Sequence, residues 1–410
     1  MHRKLARRIA LSSGLVTVLA ALALGLPLLS GCGQQTGGTI KVGVYGSLTG
    51  TTATFGESTK NGVELAANEL NAAGGVGGKT IALVVEDDQS KAEEAATAVQ
   101  KLIAQDRVVA LLGEVASSRS LAAAPIAQQN GVPMISPSST NPEVTKKGNY
   151  IFRACFIDPF QGTVMAKFAS QNLHLKRVAI LKDVKNDYSV GLAQFFTEEF
   201  QGRLGGTITG EQAYNEGDSD FRSQLTALKA NNPEAIFVPG YYTEVGLVAR
   251  QARELGIQVP LLGGDGWVSD KLLEIGGEAL NGSYYSNHFA NDQPSEALQK
   301  FITDYKAKYG SAPDAIAGLA YDAARLLFDS MARLQAADPQ AFAALDASKE
   351  ADAEAQKAAR AKLRDEINNV KDFQGVTGVI NFDADRNPVK PAVVIAVESG
   401  QEKFAASIAP

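Results

Sequence analysis

The chain has 410 residues, 45% of them hydrophobic, and 39 Lys and Arg against 45 Asp and Glu give a formal net charge of −6. That balance argues against a nucleic-acid groove or a polybasic membrane patch. Two cysteines and three histidines leave little for a disulfide framework or a zinc site, while the length predicts two or more domains.

Residues 1–31 read as a leader rather than as part of the fold. Arg3, Lys4, Arg7 and Arg8 form a basic n-region, and Ile9 to Leu29 form an apolar h-region, the pattern of a secretory signal. An uncleaved membrane helix is the alternative, since the apolar run is long enough to span a bilayer. Leu29-Ser30-Gly31-Cys32 resembles the lipobox of bacterial lipoproteins, in which the cysteine is lipidated and becomes the new N-terminus. Gly33 to Gly38 then serves as a polar tether, so that residues 32–38 are expected to be flexible. The Arg7-Arg8 pair lacks the flanks of a twin-arginine signal. Losing four cationic residues with the leader makes the mature chain still more acidic. Cys155 lies in the apolar run Phe152 to Ile157 and is expected to be a small buried residue.

From Thr39 the pattern alternates. Ile40 to Tyr45 reads as a β-branched strand, Glu57 to Ala73 as a helix with Val63, Ala66, Ala67 and Leu70 on one face, Ile81 to Val85 as a strand and Ala92 to Gln105 as a helix. Val108 to Leu112 and Val132 to Ile135 continue the strands, with an alanine-rich helix between them. A second series follows Asp158, with helices at Phe160 to Leu173, Tyr188 to Leu204, Phe221 to Ala230 and Thr243 to Leu255. Its strands are Val178 to Leu181, Thr207 to Gly210, Ala235 to Val238 and Leu261 to Leu262. Strand alternating with helix in two series predicts an α/β fold of two doubly wound parallel-sheet lobes. Pro294 to Tyr309 and Ala315 to Leu334 read as helices, and Ala336 to Lys362, alanine-rich and charged, as a solvated helix or a flexible insertion. Gly375 to Val397 is strand-like, with Asp385-Arg386-Asn387 as a hairpin turn.

Several motifs tempt and fail. Ala73 to Thr80, A-G-G-V-G-G-K-T, fits a loose P-loop pattern, but a phosphate loop leaves a strand and opens a helix. Here the order is reversed, which predicts a helix C-cap and turn. Val85-Glu86-Asp87-Asp88 looks like the acidic pair of a phosphorelay receiver but follows the wrong strand, so a polar strand end is the better reading. Asp383 to Asn387 mimics the start of a calcium loop without its glycine or its distant glutamate. His2, His174 and His288 are scattered and support neither a zinc site nor a triad.

The stretch from Gly113 to Thr140 is more informative. Both apolar runs break into small hydroxyl residues where a parallel strand would end: Ser117 and Ser118 after the first, Ser138, Ser139 and Thr140 after the second. Ligands of open α/β sheets lie beyond the carboxyl ends of the strands, where helix N-termini favour an anion. A carboxylate site is therefore expected, although lone serines and threonines at strand ends are also common as caps and turn residues.

The order and wording of these segments resemble the branched-chain amino-acid-binding proteins of ABC transporters, which have the type I periplasmic binding protein fold. The likeness runs from I-K-V-G-V-Y-G-S-L-T-G near Ile40 to F-D-A-D near Phe382, with L-T-G-x4-F-G (Leu48 to Gly56), L-N-A-A-G-G-V-G-G-K and A-R-E-L-G near Gly256 as its most specific pieces. It implies two α/β lobes joined by three hinge crossovers, here 39–157 plus 287–388 and 158–286 plus 389–410, closing over a ligand. It further implies that Ser117 and Thr140 hold a ligand α-carboxylate, that the Ser138 carbonyl helps receive the α-ammonium, and that Asp265 in G-G-D-G pairs with that ammonium. Tyr188, and Tyr241 or its neighbour Tyr242, would lie on the ligand when the cleft shuts. Phe55 and Val115 would wall the side-chain pocket, with Trp267 a further candidate.

What the resemblance implies for function is a non-enzymatic, extracytoplasmic solute-binding lipoprotein, anchored through Cys32, that delivers an amino acid to a membrane permease. No cofactor, no metal and a monomer are expected. Two departures bear on the ligand. The cysteine pair that relatives often carry near the positions of Asp88 and Ala116 is missing, and the ammonium acceptor is aspartate where several relatives have glutamate. Amides, urea or aromatic acids are the alternative ligands, and a sensor coupled to a membrane receptor is the alternative role.

Overall fold

The computed structural model describes residues 37–291, 293–347 and 352–409. The expected leader, Cys32 and most of the tether lie outside these residues, as does part of the Ala336 to Lys362 segment. Among the described residues no helix is long and apolar enough to cross a membrane.

The first sheet is built from β1 (Thr39–Gly46), β2 (Thr80–Asp87), β3 (Ala110–Leu112), β4 (Met134–Ser136) and β5 (Ile151–Arg153), all parallel, in the order β2-β1-β3-β4-β5. Helices α1 (Ala53–Ala72), α2 (Ala92–Ala104) and α3 (Ser117–Gln129) connect its strands. The strands are near-continuous Val, Ile and Leu because both faces are covered, and β3, β4 and β5 are wholly buried. Between α1 and β2 the glycine run forms a helix stop and a tight turn, closed by a bridge between Val76 and Lys79.

The second sheet repeats the plan with β6 (Arg177–Asp183), β7 (Thr207–Tyr214), β8 (Ala235–Phe237), β9 (Leu261–Gly263) and β10 (Ser283–Asn287). Helices α4 (Asp158–Lys167), α5 (Asp187–Thr197), α6 (Arg222–Ala230), α7 (Tyr242–Glu254) and α8 (Asp270–Gly276) accompany it. The chain then returns to the first lobe through α9 (Glu296–Tyr309), α10 (Ala315–Ala337), α11 (Pro339–Ala343) and α12 (Ala353–Asn368), with α10 packed along α1. A small hairpin, β11 (Phe373–Gly375) and β12 (Gly378–Ile380), precedes the last passage back to β13 (Ala392–Glu398) and β14 (Gln401–Ile408). Those two strands join the second sheet antiparallel, so that sheet is mixed rather than purely parallel.

The described parts of the alanine-rich segment include helices, and Ala359, Leu363 and Ile367 give α12 a buried stripe. The Asp383 turn is a hairpin turn, in which the Asp383 carboxylate accepts the N–H groups of Asp385 and Asn387 at 2.8 Å.

Three crossovers join the lobes, after β5, after β10 and before β13. Arg153 and Lys390, both fully buried, fasten this hinge region. Lys390 donates to the Thr377 hydroxyl at 2.5 Å and to the Ala154 carbonyl at 3.4 Å, tying the third crossover to the first. Burial pulls its ammonium down to about 8, against the opposing pull of Asp322.

Candidate functional site

Both sheets turn the carboxyl ends of their strands toward one cleft. At the end of β3, Gly113 has φ +131° and packs so closely that a Cβ would come within 2.0 Å of the Tyr45 carbonyl oxygen. Only glycine fits there, and the chain beyond it delivers Glu114, Val115 and then Ser117 at the start of α3. The loop after β4 delivers Ser138 and Thr140. From the second sheet come Tyr188 at the start of α5, Tyr241 after β8, and Asp265 in the short turn after β9.

Phe55, Val115, Ser138, Tyr188, Tyr241, Asp265 and Gly266 line one small cavity. Six of the nine residues singled out in the sequence thus line one space, three from each lobe. Tyr188 and Tyr241 lie parallel with centroids 5.4 Å apart, and Phe55 meets Tyr241 edge-on at 5.4 Å. Gly264 and Gly266 make this possible, because a Cβ on either would run into the Tyr188 ring or its hydroxyl. The Gly266 N–H donates to the Tyr188 hydroxyl at 3.0 Å, which locks the aromatic wall to the Asp265 turn.

The remaining three residues lie elsewhere. Ser117 and Thr140 are buried beside the cavity rather than in its wall. The Ser117 oxygen accepts the Asn141 N–H at 3.2 Å, leaving its own proton to donate. The Thr140 hydroxyl meets no partner at full hydrogen-bond geometry, though it lies near enough to Asp158 to favour that group's ionised form. Trp267 is a correction: its indole is fully buried, donates to the Val238 carbonyl at 2.9 Å and packs on Tyr285, so it belongs to the second-lobe core. Of the tyrosine pair, Tyr241 faces the cavity, whereas the Tyr242 hydroxyl accepts the Thr54 N–H at 3.3 Å.

Behind these residues lies a polar frame that the sequence did not reveal. Arg153, at the end of β5, donates to the carbonyls of Ser139 (2.5 Å) and Asn141 (2.9 Å) and so holds the loop that carries Thr140. Asp158 is fully buried, and burial together with the charge of Asp265 pushes its carboxyl up to about 8. On the other side, the Ser47 hydroxyl contacts Asp88 at 2.8 Å and Glu114 at 2.9 Å. Burial and the charge of Glu114 push Asp88 up to about 8, so the strand-end aspartate is a buried structural acid. Arg119 spans the lobes: it donates to Thr52 at 2.9 Å in the first and to Glu216 at 2.8 Å in the second. Burial alone would lower its guanidinium, but the charges of Glu114 and Glu216 raise it. Asp265 accepts from Ser138 at 3.3 Å and lies 3.0 Å from His288 Nε2, while its Oδ1 is buried without a hydrogen-bond partner.

Further contacts hold the cleft shut: Thr243 to the Thr51 carbonyl at 2.6 Å, Thr54 to Ser269 at 3.0 Å, Ser118 to the Asp187 N–H at 2.9 Å and Asn141 to the Asp187 carbonyl at 3.0 Å. Among the described residues no group of His, Cys, Asp and Glu is arranged to hold a metal ion. What the arrangement offers is hydroxyl donors on one side, an unsatisfied carboxylate oxygen on the other and aromatic rings between them.

The comparisons agree with this geometry. The periplasmic binding protein family profile matches residues 39–402. A Leu/Ile/Val-binding protein homolog 2 of Brucella abortus is 32% identical over 365 residues, covering 88% of this chain and 91% of its own. The crystal structure of a leucine-binding protein, LivK, from Thermotoga maritima superposes with a TM-score of 0.82 at 40% identity, covering 90% of this chain and 99% of that one. The branched-chain amino-acid transporter substrate-binding protein LivJ of Streptococcus pneumoniae, solved with isoleucine, gives 0.81 at 33% identity over 91% and 100% of the two chains. These relatives are substrate-binding proteins of transporters, not enzymes. With matched strand ends, a two-lobed α/β architecture and a family profile that spans nearly all of the described residues, this chain belongs to the periplasmic binding protein family.

Proposed function

We propose that the protein captures an aliphatic amino acid, of branched-chain type, by closing its cleft, and delivers it to an ABC transporter permease. In this reading it is exported, lipidated at Cys32 and held at the membrane as a monomer facing the periplasm or cell exterior. Its lobes are 39–157 with 287–388, and 158–286 with 389–410.

One observation carries the proposal: the buried Asp265 Oδ1 that lacks a hydrogen-bond partner. A buried anionic oxygen without a partner costs several kcal/mol unless something satisfies it. An α-ammonium does so, while Ser117, Thr140 and the first-turn amides of α3 take the carboxylate at the opposite side. The lining residues converge from both lobes on one small space, which suits a single small zwitterion. Phe55, Val115 and Tyr241 leave apolar surface for its side chain. The ligand touches both lobes only when they close, so its differential contact drives closure.

The test is titration calorimetry with L-leucine on the wild type and on Asp265→Ala. The proposal expects wild-type affinity near micromolar, about −8 kcal/mol, and its loss in the variant. Unchanged leucine binding by Asp265→Ala would remove Asp265 from the ammonium site.

A further inference from the structure

Asp265 and His288 are 23 positions apart in sequence but neighbours in the sheet. Strands β9 and β10 run parallel with Gly263 beside Tyr285, so the residues that leave their carboxyl ends emerge together. His288 Nε2 lies 3.0 Å from Asp265 Oδ2, and its side chain is 1% exposed. Phe156 stacks on the imidazole at 4.0 Å, fixing the plane of the ring. Asp265 belongs to the second lobe, and His288 stands at the start of the crossover that leaves it after β10, against Phe156 of the first lobe. Ser138, from the first lobe, adds its hydroxyl to the same Oδ2 at 3.3 Å.

The charges around this group are unusual. Among the described residues, Asp265 forms no ion pair with a lysine or an arginine. The groups facing it are Asp158, Tyr188 and the buried Cys155 thiol, and Lys390 faces His288 from the third crossover. Burial lowers the imidazole against the pull of Asp265, with Lys390 adding to the lowering. A neutral ring that donates Nε2–H holds Oδ2 without neutralising it, and leaves the negative charge and Oδ1 for a cation brought by the ligand.

We infer that His288 is a positioning residue that aims Asp265 at the ligand and, as a neutral donor, makes the site select α-amino acids over the corresponding carboxylic acids. This inference rests on the amino-acid reading above. Acidification opposes the selection, because a protonated His288 supplies the cation itself and competes with the ligand ammonium. His288→Leu removes the donor, whereas His288→Gln keeps an N–H near the position of Nε2 and cannot titrate.

Calorimetry with L-leucine and with its des-amino analogue 4-methylpentanoate, between pH 5 and pH 8, tests this, with thermal melts to confirm folding. His288→Leu is expected to weaken leucine by ~tenfold or more, the scale of a lost hydrogen bond to a charged group, and to narrow its advantage over the analogue. His288→Gln is expected to keep the wild-type affinity and preference at pH 7 and to lose the decline at acid pH. The ring ¹⁵N signals of His288 in ligand-free protein, recorded with and without Asp265→Asn, supply a readout independent of any ligand. A neutral Nε2–H tautomer that responds to the Asp265 change is expected. An Nδ1–H tautomer, or leucine binding by His288→Leu equal to wild type, overturns the inference. A wild type that ignores leucine while the ring signals behave as expected would instead overturn the amino-acid reading and leave the Asp265–His288 unit standing.

Discussion

The contact between Arg119 and Glu216 offers a direct measure of what closure contributes. Arg119 lies in α3 of the first lobe with its side chain 3% exposed, and Glu216 follows β7 in the second with 28% exposed. Their atoms are 2.8 Å apart, and Thr51 donates to the same Glu216 oxygen at 3.0 Å. A hydrogen bond between charged groups contributes ~1.5–3 kcal/mol, and the partial exposure of Glu216 reduces this to ~1–2 kcal/mol. Glu216→Ala removes that amount from the closed state only, because an open cleft already separates the two residues. The dissociation constant for L-leucine should therefore rise ~5–30-fold, at about 1.4 kcal/mol per factor of ten. The thermal midpoint of the ligand-free protein should stay put. Calorimetry and a melt of the same sample read both quantities. An affinity within twofold of wild type would refute the latch, and an equal loss of stability without ligand would show that the contact does not depend on closure.

Two other outcomes follow from the buried charges. Arg153→Met should lower the unfolding free energy by ~2–5 kcal/mol in urea titrations, since the carbonyls of Ser139 and Asn141 lose buried donors at ~1–3 kcal/mol each. Arg153→Lys should recover little of it, because a single ammonium does not reproduce the guanidinium fork. The second outcome concerns Asp158, whose carboxyl is raised from 3.8 to about 8 in the folded protein. Between those values the folded state holds a proton that the unfolded state has released, so this group's contribution to stability is full below pH 3.8 and declines as pH rises through 8. Asp158→Asn should remove that decline, and its melting temperature relative to wild type should be higher at pH 8 than at pH 5. A constant difference across that range would contradict the assignment.

The strand ends that build the first-lobe side of the cleft were legible because parallel strands advertise themselves as apolar runs, and Gly113 to Thr140 breaks into hydroxyls where those runs stop. Of the six wall residues, Ser138 was legible for the same reason, whereas Phe55, Val115, Tyr188, Tyr241 and Asp265 came from the family resemblance. Less visible were β5, β10 and β14. Ile151–Arg153 is too short to show a period, Ser283–Asn287 mixes tyrosine with polar residues, and Gln401–Ile408 is an exposed edge strand with little apolar signal. Trp267 misled because its neighbour Asp265 belongs to the cavity wall, while the turn swings the indole into the core. His288 was passed over as a scattered histidine, since its link to Asp265 depends on the register of two strands. Arg119 and Arg153 were hidden likewise: nothing local in a sequence says that an arginine will be buried, only the partners that the fold brings to it.

The central claim is that one small zwitterion satisfies both sides of the cleft. Titrating the protein with leucine, isoleucine, valine, alanine, acetamide, urea and benzoate in a calorimeter tests it most directly. Saturable one-to-one binding of the branched-chain amino acids near micromolar, with the amide, urea and benzoate silent, is the result expected. Tight binding of benzoate or an amide, with no heat from any amino acid, would contradict it.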